Sequence, residues 1–217
     1  NEAALLCIAY WLFRGINCKK NINDSMKYYK KYADIYNGAE VNYIIGMCKI
    51  YGLEGCKVDV KLGLSYLNKA ADQENPNAIA ALAMIYYIGK YVKKDDKMAA
   101  KLFKKSADLG STESMHSYAY CLAFGIGVDK NEKMAADYLK KGDENGDPYC
   151  TYYLGLMYMK GVGVEKNHDE GLKYLEKAKM KGIEHAVEIG ERCYSSNEPF
   201  SNQFRIDWNQ IISNCVY

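Results

Sequence analysis

Any chemistry in this chain would have to come from eight cysteines, three histidines and a few short polar clusters. The cysteines stand at positions 7, 18, 48, 56, 121, 150, 193 and 215. Joined in pairs they would form a disulfide framework, and with histidines at ligand spacing they would hold a metal. No C-x-x-C occurs and no histidine stands at ligand spacing from a cysteine pair, so neither a metal site nor a cofactor is expected. His116, His168 and His185 are far apart in sequence. Asn167-His168-Asp169-Glu170 has the composition of an acid–base cluster, but its register makes it the capped first turn of a helix, where acidic residues favour the helix dipole. S-x-x-K, G-x-S-x-G, H-E-x-x-H and Walker loops are all missing. The chain is therefore expected not to be an enzyme.

Composition narrows the class further. With 49% apolar and 26% charged residues, the 217-residue chain has the balance of a soluble globular protein. Its charge, 29 basic minus 27 acidic, is +2, too even to point to nucleic acid or an anionic membrane. No apolar run approaches the roughly 20 residues that span a bilayer. Three prolines suit a mostly helical chain, whereas 21 tyrosines need a structural or binding reason. The first residue is Asn rather than Met, which reads as a fragment or a processed product with any signal peptide upstream.

The elements that position these residues emerge from self-comparison. Gly15, Gly52, Gly89, Gly125 and Gly161 follow one another at 37, 37, 36 and 36 residues. Glu74, Gly110, Gly146 and Gly182 repeat at 36, and Ala33, Ala70, Ser106, Gly142 and Ala178 follow at 37, 36, 36 and 36. Tyr29, Tyr66, Leu102, Tyr138 and Tyr174 make a fourth row. Within a copy the period is helical: Cys150, Tyr153, Leu154, Met157 and Tyr158 lie on one helix face, and Gly161 supplies a left-handed C-cap. Asp59, Asp95, Asn131 and Asn167 are placed to N-cap a second helix carrying Leu172, Leu175 and Ala178 inward. Each unit is thus helix A, a Gly loop and helix B, and units must stack because one pair cannot bury its own apolar face. Five copies fill residues 1–38, 39–75, 76–111, 112–147 and 148–182. Residues 183–217 hold a sixth helix A, with Ala186, Cys193 and Tyr194 in register, and a terminal helix over 201–217 expected to cap the last repeat.

Leu154-Gly155-Leu156-Met157-Tyr158-Met159-Lys160-Gly161-Val162-Gly163-Val164, followed by Gly171-Leu172-Lys173-Tyr174-Leu175-Glu176-Lys177-Ala178, resembles the Sel-1-like repeat (SLR), a relative of the tetratricopeptide repeat. The fourth copy has the same skeleton in Ala119, Leu122, Gly125, Gly127, Val128, Ala135 and Tyr138, while Asn17 and Lys49 depart from the motif. The resemblance implies an all-α, right-handed α-solenoid of helix–loop–helix repeats, and an adaptor that holds other proteins together. In a cysteine-rich branch of the family, helix B of one repeat is joined to helix A of the next by a disulfide. The corresponding helix B positions here are Ala71, Ala107, Asp143 and Lys179, so that framework is not expected. Cys18 and Cys56, in adjacent loops, are the one pair to check, and stacked repeats lie roughly 8–10 Å apart. Free thiols in a reducing intracellular compartment follow, with the secretory pathway or export to a host as the alternative. The same branch is linked to β-lactam binding, which makes a β-lactamase-like hydrolase an alternative function.

Two surfaces remain as binding candidates. Helix B carries Lys97, Lys101, Lys104, Lys105, Lys133, Lys140, Lys141, Lys173, Lys177 and Lys179, a solvated convex face or a dock for an acidic partner of a regulatory subunit. In tetratricopeptide-like stacking helix A lines the concave groove, and there the register places Met47, Tyr51, Met84, Tyr87, Ile88, His116, Tyr120, Phe124, Tyr152, Leu156 and Met159. A Met- and Tyr-rich stripe is the composition of an adaptable protein-binding surface. The expected function is a non-enzymatic adaptor that binds a peptide or helix of a partner protein in this groove, with no nucleic acid and no membrane insertion.

Overall fold

The computed structural model describes residues 1–196. Eleven α-helices occur among them: α1 (Glu2–Arg14), α2 (Ile22–Tyr36), α3 (Ala39–Tyr51), α4 (Val60–Asp72), α5 (Pro76–Ile88), α6 (Asp96–Asp108), α7 (Thr112–Phe124), α8 (Glu132–Glu144), α9 (Pro148–Lys160), α10 (His168–Met180) and α11 (Ala186–Ser195). The all-α class holds, and the sixth helix A is present as α11. The capping helix expected over 201–217 lies outside the described residues. Two compact units divide the chain, Asn1–Ile85 and the part from Tyr86 onward, with the boundary inside α5.

The same local devices build every copy. Asn21, Asp59, Asp95, Asn131 and Asn167 each cap a helix B, the side chain accepting from the backbone N–H three residues on. The backbone N–H of each of these caps also donates to a helix A carbonyl, of Leu12, Lys49, Tyr86, Leu122 and Tyr158, at 2.8–3.0 Å. One residue therefore starts helix B and ties it back to the end of helix A. The glycine after helix A takes φ between 65° and 72° in all five copies, a conformation that favours glycine.

Small residues set how closely the two helices approach. In the first unit Gly46 of α3 meets Gly63 of α4, and a Cβ at either would stand 2.9–3.1 Å from the other's carbonyl oxygen. Gly155 of α9 and Gly171 of α10 repeat the contact in the second unit at 3.1 Å. At the matching positions of the first copy, Ser25 Oγ donates to the Ala9 carbonyl at 2.7 Å. The fourth copy has Ala119 and Ala135 there, both fully buried. The aliphatic residues around these crossings, such as Leu139 and Leu154, are fully buried, each worth about 1.5–3 kcal/mol.

A second set of small residues lets helix B meet the next helix A. Ser106 Oγ bonds Ser114 Oγ at 2.8 Å, and a Cβ at Gly142 would overlap the Cys150 thiol. The loops close on the preceding copy in the same way. A Cβ at Gly127 would overlap the Asp96 carbonyl, and one at Gly163 the Glu132 carbonyl. Glycine is needed there for approach to backbone as well as for its positive φ.

Between the fourth and fifth copies a polar cluster adds to this packing. The buried Asp143 carboxylate accepts from Thr151 Oγ1 (2.6 Å), Lys177 Nζ (2.8 Å) and Lys181 Nζ (3.3 Å). Burial works to raise the Asp143 carboxyl, but these three hydrogen bonds outweigh it and hold the group below its ordinary value. Asp143 thus ties α8 to α9 and α10 by an ionic link.

Two outcomes are expected. Gly110 also has positive φ (97°) but open space around it, so G110A should cost about 1–2 kcal/mol from backbone strain alone. G163A adds the backbone overlap and should cost about 1–3 kcal/mol more. Urea unfolding of both variants compares the two, and equal losses would contradict the close approach at Gly163. D143N should cost about 1–3 kcal/mol at neutral pH. Because the folded-state value is depressed, the stabilisation is full above the ordinary 3.8 and is lost as pH falls through the lower folded value. The gap between wild type and D143N, read from unfolding curves, should therefore close below about pH 4; a gap constant from neutral pH to pH 2 would contradict the network.

Candidate protein-binding face

Helix A presents one side to helix B and the other outward, and the outward register is where binding residues are expected. In the first unit Tyr10 and Trp11 of α1 are 48% and 46% exposed. Met47 and Tyr51 of α3 are half-buried, and Met84 of α5 is buried. In the second unit Tyr87 and Ile88 end α5 half-buried, and Lys94 Nζ lies 5.4 Å from the Tyr87 ring centre. Phe124 ends α7 half-buried, with the Tyr120 ring 4.8 Å away on the preceding turn.

The remaining expected residues lie deeper. Tyr120 is 4% exposed, and Leu156 and Met159 are fully buried. Met159 fills the space beside Gly171 of α10, which makes it part of the packing of helix A on helix B. Tyr152 is buried with its ring 5.2 Å from Tyr153. The cause is the number of neighbours: α9 packs against α7, α8, α10 and α11, so Cys150 through Met157 are buried whichever way they point. His116 is buried below the half-exposed Tyr149, with ring centres 5.8 Å apart, and 4.0 Å from the Asp147 carboxylate. Burial lowers its pKa, and the Asp147 charge opposes that.

Motif register gives no role to Trp11 and Tyr149, two exposed aromatics near the ends of helix A, where a large ring is itself the signal. It marks Asp143 only as a position without cysteine, whereas the carboxylate joins three helices.

The other candidates resolve into structural roles. The seven described cysteines are free thiols. Cys18 donates to the Trp11 carbonyl and Cys56 is buried, so these two do not pair. Burial pushes the Cys121 thiol up to about 12, which leaves it protonated and unreactive as a nucleophile at neutral pH. His168 opens α10 behind its Asn167 cap, and its Nε2 lies 3.2 Å from Glu191 of α11 while its ring meets Tyr194. The helix B lysines are largely exposed, several in ion pairs such as Lys104–Asp108 and Lys173–Glu170. No helix among the described residues is long and apolar enough to cross a membrane.

Comparison with known proteins adds the family. The chain is similar over 99% of its length to a crystal structure of a Sel1 repeat protein from Oxalobacter formigenes, of which it covers 88%, at 25% identity and a TM-score of 0.80. It is similar in fold, at 21% identity and a TM-score of 0.79, to a protective antigen of uropathogenic Escherichia coli strains that displays an SLR fold. There the match takes in 98% of this chain but 46% of the antigen, so this chain spans just under half of that protein. Comparison with curated proteins finds no match. The family model for the Sel1 repeat matches residues 3–34, 39–75, 76–111, 112–147 and 148–183. With five consecutive matches laid over the helix pairs just described, the chain belongs to the Sel1 repeat family, whose members are generally non-catalytic protein–protein interaction scaffolds.

Proposed function

We propose that this chain is a scaffold that holds a peptide or helical segment of a partner protein against the outward face of its A helices. The observation that carries this reading is the set of half-buried apolar residues at the helix A ends. These are Met47 and Tyr51 in the first unit, and Tyr87, Ile88 and Phe124 in the second. A partly exposed aromatic seated on a fixed backbone loses little entropy when a partner covers it, and such residues make the anchors of interfaces. Met84, His116, Tyr120, Tyr152, Leu156 and Met159 are buried, and in this reading they fix the positions of the accessible rings. Phe124 illustrates this, because its ring leans on the buried Tyr120.

Peptides selected from a random display library against the whole chain provide the test. Y87S combined with F124S should weaken their binding by about 2 kcal/mol or more, roughly thirty-fold, while circular dichroism and the melting temperature change little. Unchanged binding together with a large loss of stability would show these side chains to be packing only. Binding that resists the double substitution but falls steeply with added salt would point to the lysine face of helix B instead.

A further inference from the structure

Three side chains that motif register kept apart meet where the fourth repeat joins the fifth. His116 stands on the second turn of α7, Asp147 is the N-cap of α9, and Cys150 lies in the first turn of α9. Their potential ligand atoms all lie within 4.8 Å of one another, with His116 Nδ1 and the Asp147 carboxylate 4.0 Å apart. His116 and Cys150 are buried, and the Asp147 side chain is 11% exposed. We propose that His116, Asp147 and Cys150 form a binding site for one borderline divalent metal ion of the Zn2+ class, linking the fourth repeat to the fifth.

The donor set selects the ion. One sulfur, one imidazole nitrogen and one carboxylate oxygen suit Zn2+ and its neighbours and disfavour Mg2+ and Ca2+, which take oxygen. Around an ion bound at roughly 2.0–2.3 Å, tetrahedral donors stand roughly 3–4 Å apart. The widest separation, up to 4.8 Å, therefore needs to contract by roughly 1–2 Å. Charge balance favours it as well. A thiolate and a carboxylate together carry two negative charges and imidazole none, so the divalent ion leaves a neutral site in a buried place. Binding moves the Cys150 proton to solvent, and the sulfur becomes a thiolate ligand.

The surroundings supply the outer support such a site uses. The Tyr149 ring packs on the imidazole at 5.8 Å between centres, and the Asp147 carboxylate faces its Nδ1 at 4.0 Å, which orients His116. The Cys150 thiol lies 3.9 Å from the Thr112 carbonyl, and Gly142 leaves the room that the sulfur occupies. Asp147 Oδ1 accepts from the Cys150 backbone N–H at 2.7 Å; a carboxylate has two oxygens, so it can cap α9 and ligate together. Asp147 is the most open of the three, which makes its edge the entry path and leaves the fourth position to water. With ligands from α7 and α9, the ion would staple two successive A helices.

The whole chain, reduced and freed of metal by a chelator, should be titrated with Co2+. One equivalent should bind with a thiolate-to-cobalt charge-transfer band and tetrahedral ligand-field absorption, and Zn2+ should displace it. C150S should abolish the charge-transfer band, and H116N should weaken Co2+ binding by at least about tenfold. C7S combined with C18S, which removes two exposed thiols, should leave the band intact. Zn2+ should also raise the melting temperature of the wild-type chain and not that of C150S. The wild-type titration stands without any variant: no thiolate–cobalt band there overturns the proposal. A band that survives C150S, or that disappears with C7S and C18S, overturns it equally.

Discussion

Everything else in the structure depends on how closely helix A and helix B of one repeat approach. At Gly46 and Gly63, and again at Gly155 and Gly171, the two backbones cross with room for no side chain. Ser25 and the Ala9 carbonyl make the same crossing with a hydrogen bond. Close crossing removes the inner side of each helix A from solvent, so its large residues must go to either side of the contact. Those on one side form the core, and those at the helix end form the face offered to a partner.

Stacking one repeat on the next is solved by different means at each level. Small residues on helix B accept the next helix A, as Gly142 does for Cys150. Glycines in the loops accept backbone of the preceding helix B, as Gly163 does for Glu132. At the junction of the fourth and fifth copies, polar groups enter as a paired set, Asp143, Thr151, Lys177 and Lys181. An unpaired carboxylate at that depth would be costly, whereas one with three donors fixes which repeat faces which.

Much of this was legible in the sequence because its causes are local. A positive φ at Gly15 or Gly161 and a cap at Asn131 or Asn167 each depend on a few neighbouring residues, and the 36-residue period repeats them until chance is excluded. Contacts between repeats are not local. Asp143 meets Lys177 and Lys181 thirty-four and thirty-eight positions later, and only the fold brings His116 to Cys150. Motif position puts Leu156 and Met159 on the groove side, but with four helices around α9 both are fully buried. Exposure depends on how many neighbours a helix has, which a motif applied copy by copy does not contain.

The central claim is that the helix A ends, and not the lysine-bearing helix B faces, receive the partner. Hydrogen–deuterium exchange of the whole chain, with and without a bound display-selected peptide, maps the covered surface directly. Protection is expected in the last turns of α5 and α7 and in the loops that follow them, around Tyr87, Ile88 and Phe124, with α6 and α8 unchanged. Protection confined to α6 and α8, with the ends of α5 and α7 exchanging as in the free chain, would contradict it.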